Sequence, residues 1–204
     1  MDSEAVKLRA FESLFSDHAA ELPRIRAYND SHRGLPRETK FRFICQHILE
    51  SADADRLMQS LMANYKQVLE TVLAGVPLIP GIKAFLQSTS YPKYICSSAP
   101  MYEIVAALRR HGIEHHFQAL YGYPDRKAEV LTRLKGHCHH PIVFFGDAEA
   151  DHDAAKAAGV SFILVEGSEG LQPLAGEAVP TIQDFRDHET IERMIAAVSR
   201  ESRC

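Results

Sequence analysis

The chain has 204 residues, a formal net charge of -4, 46% apolar residues and 25% charged residues. That is the composition of an ordinary globular protein. The charge gives no electrostatic case for nucleic acid or an anionic membrane, and no apolar run approaches the ~18 residues that span a bilayer. The opening "MDSEAVKLRA" has no apolar core and predicts no secretory signal. Four widely spaced cysteines (Cys45, Cys96, Cys138, Cys204) fit free thiols in a reducing cytoplasm.

From Ala5 to about Leu73 the apolar spacing is helical. Leu8, Phe11, Leu14 and Phe15 share a face, as do Phe41, Ile44, Cys45, Ile48 and Leu49. A third face carries Leu57, Leu61, Tyr65, Val68 and Val72, and no strand is predicted in this zone. "NDSHRGLPRET" interrupts the helices, with Pro36 placed to start the next one. After "AGVPLIPG" short apolar runs alternate with helical stretches. "KYIC" precedes "MYEIVAALRRHG", "QALYGY" precedes "KAEVLTRLKG", "IVFFG" precedes "DAAKAAG", and "SFILV" follows. This βαβ rhythm predicts a parallel sheet with helices on its faces.

Ligands of such sheets bind beyond the carboxyl ends of the strands. Ser97 and Ser98 follow "YIC", Lys127 opens the helix after "YGYPDR", and Gly146, Asp147 and Asp151 follow "VFF". Hydroxyl, ammonium and two carboxylates on one edge suit a phosphate ester with Mg²⁺. The carboxylates supply oxygen ligands, and the lysine and hydroxyl bind phosphoryl oxygens. Each residue also has a structural explanation: the serines as helix caps, Asp147 and Asp151 as a cap and a first-turn acid, Lys127 and Arg37 as solvated helix residues. The crowded "GHCHH" does not make a tetrahedral zinc set and reads as a polar loop.

"CSSAP", "DRKAEVL" and "GDAEADHDAAKAAG", in that order, resemble motifs II, III and IV of the haloacid dehalogenase superfamily of phosphohydrolases. "RGLPRETKF" is similar to the cap loop of its phosphoglycolate phosphatase and β-phosphoglucomutase branch. The resemblance implies a Rossmann-like α/β core with an inserted helical cap. It places a core remnant at 1–7, the cap at 8–74 and the core at 75–204. It also implies catalytic roles for Ser97 and Lys127, substrate contacts from Arg37 and Ser98, and Mg²⁺ ligation by Asp147 and Asp151.

The family's motif I, DxDG, has no counterpart in these 204 residues. In the family its two aspartates are the nucleophile and the acid/base, and its strand lies mid-sheet between those assigned here to "KYIC" and "IVFFG". The expectation is therefore a phosphoglycolate phosphatase-like, Mg²⁺-dependent hydrolase of a small phosphorylated metabolite, truncated and inactive as written, with weak metal affinity and open strand edges. A non-catalytic binder of a phosphorylated ligand or partner protein, and a sugar-phosphate mutase, are the alternatives. Neither nucleic acid nor membrane is expected as a partner, and a homodimer is allowed.

Overall fold

The computed structural model describes residues 4–32, 35–138, 140–166 and 179–201. Residues 1–3 of the opening, Arg33 and Gly34 of the "RGLPRETKF" loop, and His139 lie outside the described residues. The chain divides into two compact units, one over Ser3–Val76 and one built on Pro77–Cys204.

The first unit is helical, as the periodicity predicts. It contains α1 (Glu4–Ser13), α2 (Leu22–Ser31), α3 (Arg37–Phe43) and α4 (Ala54–Ala74), with a wide π turn over Ile44–Ile48. Pro36 stands one position earlier than the sequence suggests, as the residue that caps α3 rather than its first turn. Asp53 caps α4 by accepting from the Arg56 N–H at 3.3 Å. Phe11, Phe15, Phe41 and Tyr65, all buried, meet with ring centroids 5.2 to 6.2 Å apart. This aromatic cluster gives the unit a core of its own.

The second unit is an α/β structure. Its helices are α5 (Ile82–Ser88), α6 (Met101–His111), α7 (Lys127–His137), α8 (Glu149–Ala158) and α9 (His188–Glu201). Its strands are β1 (Tyr94–Pro100), β2 (Ala119–Tyr123), β3 (Val143–Gly146), β4 (Ser161–Val165) and β5 (Thr181–Ile182). Every pair is parallel, but the strands form two sheets: β1 with β2, and β3–β4–β5. Among the described residues β1 and β3 have a ladder partner on one side only.

Two helix layers cover both sheets. Along β4, Ile163 and Val165 pack with Phe85 of α5 and Ile191 of α9, while Phe162 and Leu164 pack with Ala155 of α8. This alternation is what a strand buried on both faces requires. Ile82 of α5 packs against both the β3–β4 cluster and the β1–β2 cluster. On the opposite face α7 contacts β1 and packs along α8. The two sheets are thus halves of one layer, in the order β2–β1, then β3–β4–β5. The connections diverge between β1 and β3, which makes that place the topological switch point.

Candidate active site

Lys127 is the first residue of α7, and Asp151 sits in the first turn of α8. A carboxylate is favoured at the positive end of a helix, whereas an ammonium is not. The structure resolves that conflict by pairing them: the Lys127 Nζ donates to Asp151 Oδ1 in a short, direct ion pair. The two side chains are only 19% and 5% exposed. The other carboxylate oxygen, Oδ2, accepts the backbone N–H of Asp147 at 3.3 Å. Asp151 therefore ties the end of β3 to the start of α7.

Gly146 makes that fit possible. A Cβ at this position would lie 2.8 Å from the Asp151 Cγ and 2.9 Å from its Oδ2. Asp147, the next residue, is exposed at the sheet edge. The end of β3 and the first turn of α8 thus hold one carboxylate turned inward against a lysine and one facing solvent.

Ser97 and Ser98 stand within β1 as it is drawn, not after it, which corrects the sequence reading of a strand ending at Cys96. The pairing with β2 is irregular between Cys96 and Pro100, so the serines occupy a distorted terminal stretch. The Ala99 N–H donates to Ser97 Oγ at 3.1 Å, and Ser98 is exposed. Neither serine caps α6, because Pro100 takes the capping position. The residue before them, Cys96, is a free thiol as the sequence reading has it, but that reading gives it no place at the site. Its thiol is pushed up to about 11, chiefly by burial and against the field of Lys127, while Asp151 adds to the rise. Lys127 and Asp151 are thus close enough to Cys96 to alter its ionisation, which ties β1 to the same edge. A cysteine at a strand end carries no sequence signal for this.

Arg37 belongs to the helical unit, where it opens α3 with its guanidinium 5.1 Å from the centre of the Tyr65 ring. Lys135 is another residue that sequence reasoning passed over. Its Nζ donates to the Gly159 carbonyl at 2.6 Å and lies 3.4 Å from that of Ala158, closing the C-terminal end of α8.

Mg²⁺ takes about six oxygens, keeps several as water, and uses one or two carboxylates with substrate phosphate. Asp147 at the exposed edge fits such a ligand. Asp151 fits only by sharing oxygens already engaged by Lys127 and the Asp147 N–H. Among the described residues no group of three or more His, Cys, Asp or Glu side chains surrounds a common point. The edge therefore offers part of a magnesium site, not an all-protein cage.

Comparison with known proteins places the chain in a family. The sequence model of the haloacid dehalogenase-like hydrolases matches residues 1–165, and the chain belongs to that family. A phosphoglycolate phosphatase of Mesorhizobium japonicum is 27% identical over 129 residues, which span 59% of this chain and 57% of that enzyme. A phosphoglycolate phosphatase of Rhodobacter capsulatus is 26% identical over 148 residues, 68% of this chain and 67% of its own length. The match thus spans little more than half of the first relative. Among solved structures, the Bacillus subtilis protein YfnB, described as a HAD-hydrolase and solved with magnesium bound, has a TM-score of 0.67 and 17% identity. That alignment covers 95% of this chain and 93% of the other, and at this identity it shows the shared fold. The Rossmann-type α/β fold expected from the motifs is thereby shown. No described helix is long and apolar enough to cross a membrane.

Proposed function

We propose that the edge formed by Ser97, Lys127, Asp147 and Asp151 binds the phosphoryl group of a phosphate monoester together with Mg²⁺, as in a phosphoglycolate phosphatase-like hydrolase. The observation that carries this reading is the Lys127–Asp151 pair with Asp147 beside it, at the switch point between β1 and β3. Both helix N-termini converge there, which favours an anion. Lys127 has two further N–H donors for phosphoryl oxygens, and Asp151 orients it. The Ser97 hydroxyl and the exposed Ser98 supply neutral donors from β1. Asp147 would hold Mg²⁺, which supplies charge neutralisation at the phosphoryl oxygens when bound. Arg37, with a planar guanidinium suited to phosphate, is proposed as a substrate contact from the helical unit.

These residues bind and polarise a phosphoryl group, but they do not include the family's nucleophilic and acid/base aspartates of motif I. We infer that the 204-residue chain binds a phosphate ester and Mg²⁺ weakly and turns over none. The test has two parts. Calorimetry with Mg²⁺ and inorganic phosphate should show millimolar binding that Asp147→Asn and Lys127→Met abolish. Phosphate release from a panel of monoesters should not exceed that of a Ser97→Ala, Lys127→Ala control. Binding unaffected by either substitution would refute the site. Robust turnover by the chain would refute its proposed inactivity.

A further inference from the structure

Beyond the serines, the same edge becomes apolar. After Ser98 the chain runs through Ala99 and Pro100 into Met101 and Tyr102, the first two residues of α6. β2 ends at Tyr123, which stands opposite Pro100 in the ladder. Gly122 holds this end of β2 tightly against the start of α6: a Cβ there would lie 2.8 Å from the Ala99 carbonyl and 3.2 Å from the Met101 nitrogen. The backbone therefore brings three large residues to one corner, and all three are open to solvent: Met101 at 37%, Tyr102 at 47% and Tyr123 at 51%.

Scattered apolar residues on a surface are ordinary, whereas several gathered beside polar, ligand-binding groups mark a binding surface. The chemistry of the stretch is one-sided. Ala99, Pro100 and Met101 offer no side-chain hydrogen bond to the hydroxyls or carboxylate of a short hydrophilic substrate. The Tyr102 hydroxyl donates to Glu103 Oε1 at 3.2 Å, so its polar tip has a protein partner while its ring is exposed.

We propose that Met101, Tyr102 and Tyr123 receive the organic part of the ester, and that the substrate class is an aryl or similarly bulky apolar phosphate monoester. This rests on the phosphoryl group binding at Ser97 and Lys127. Met101 follows Ser98 by three residues and Tyr123 precedes Lys127 by four, so the rim adjoins the proposed phosphoryl site and would meet the ester's leaving group. An aromatic or branched apolar group there would cover the two rings and the thioether, removing apolar surface from water on both partners.

The test is a ¹H–¹⁵N NMR titration of the full chain, with Mg²⁺ present, using phenylphosphonate and methylphosphonate. These probes share the phosphoryl end and differ in the apolar group. Phenylphosphonate should bind about tenfold more tightly to the native chain, as expected for one buried aromatic contact. In the Tyr102→Ser, Tyr123→Ser double variant, and separately in Met101→Ala, that preference should fall to about twofold or less. All three positions are exposed, so these variants should keep the native amide spectrum. Equal affinity of the two probes for the native chain would overturn the proposal, as would a preference that survives the substitutions. Concentration-dependent self-association that the double variant abolishes would assign the corner to a second copy of the chain and also overturn it. If neither phosphonate binds, the phosphoryl site itself is refuted, an outcome distinct from equal binding.

Discussion

Lys127 and Asp151 stand 24 positions apart and join the N-terminal ends of α7 and α8. Lys135 and Gly159 are also 24 apart and join the C-terminal ends. The two helices therefore run side by side in the same direction, tied at both ends. The lower tie is a favourable cation at a helix C-terminus. The upper tie is a nearly buried ion pair, and the two differ in what their loss should do.

Breaking the upper pair from one side leaves a charge with poor access to water. Lys127→Met or Asp151→Leu alone should cost about 3 kcal/mol of stability. The double variant, Lys127→Met with Asp151→Leu, should recover much of that, because no charge is then stranded. Urea unfolding of the three variants checks this. Singles within about 0.5 kcal/mol of the native chain would contradict the buried pairing.

Gly146→Ala tests the close approach of the strand end to Asp151. The added methyl meets the Asp151 carboxyl, so either the side chain or the loop must shift. Overpacking of this kind should cost about 1–3 kcal/mol. It should also displace the Asp147 and Lys127 resonances in an NMR spectrum. A spectrum unchanged around Asp147 would mean that the loop has more room than the structure shows.

Cys96 makes alkaline stability testable. Its folded-state value of about 11 lies above its ordinary 9.0, so between those pH values the folded chain keeps a proton that the unfolded chain releases. The corresponding stability is intact below pH 9 and is lost as pH rises through the folded value. Cys96→Ala should flatten the decline between pH 9 and 11, measured by denaturant unfolding at stepped pH. A decline of equal steepness in the variant would show that Cys96 is not its source.

The open strand edges predict a pattern of amide exchange. The Gln118 N–H donates to the Lys93 carbonyl at 2.8 Å, and the Ser161 N–H to the Ile142 carbonyl at 3.2 Å. Backbone groups alternate in direction along a strand. Those of Tyr94, Cys96, Val143 and Phe145 therefore face the place between β1 and β3. Their amides should exchange faster than those of Ile95 and Phe144, which point into the ladders. Each buried backbone group left without a partner costs about 1–3 kcal/mol. An apolar strand that fills the place, fused or added as a peptide, should therefore raise the Tm and slow these four amides selectively. Uniform protection without such a strand would show the edges to be closed.

The sequence by itself determined the local features. The 3.6-residue spacing of Phe11, Phe41, Leu61 and Tyr65 specified helices around an apolar core, and these residues are buried as that spacing requires. Short apolar runs before Ser97, "PDRK" and Asp147 located the strands, although β1 runs on through the serines to Pro100, because a strand buried on both faces must be apolar up to the point where it meets water. The motif order also pointed to the family, since its chemistry sits at fixed strand ends. Contacts between residues far apart along the chain were decided only by the tertiary structure. It turned Asp151 inward onto Lys127 and left Asp147 outside, although both are aspartates four positions apart, because only one faces the start of α7. It kept β1 and β3 from pairing with each other, and it placed Cys96 near the ion pair and Tyr123 beside Met101. Periodicity reports which side of an element is buried. It cannot report what lies opposite, because that depends on the packing of other segments, here 22 or more positions away.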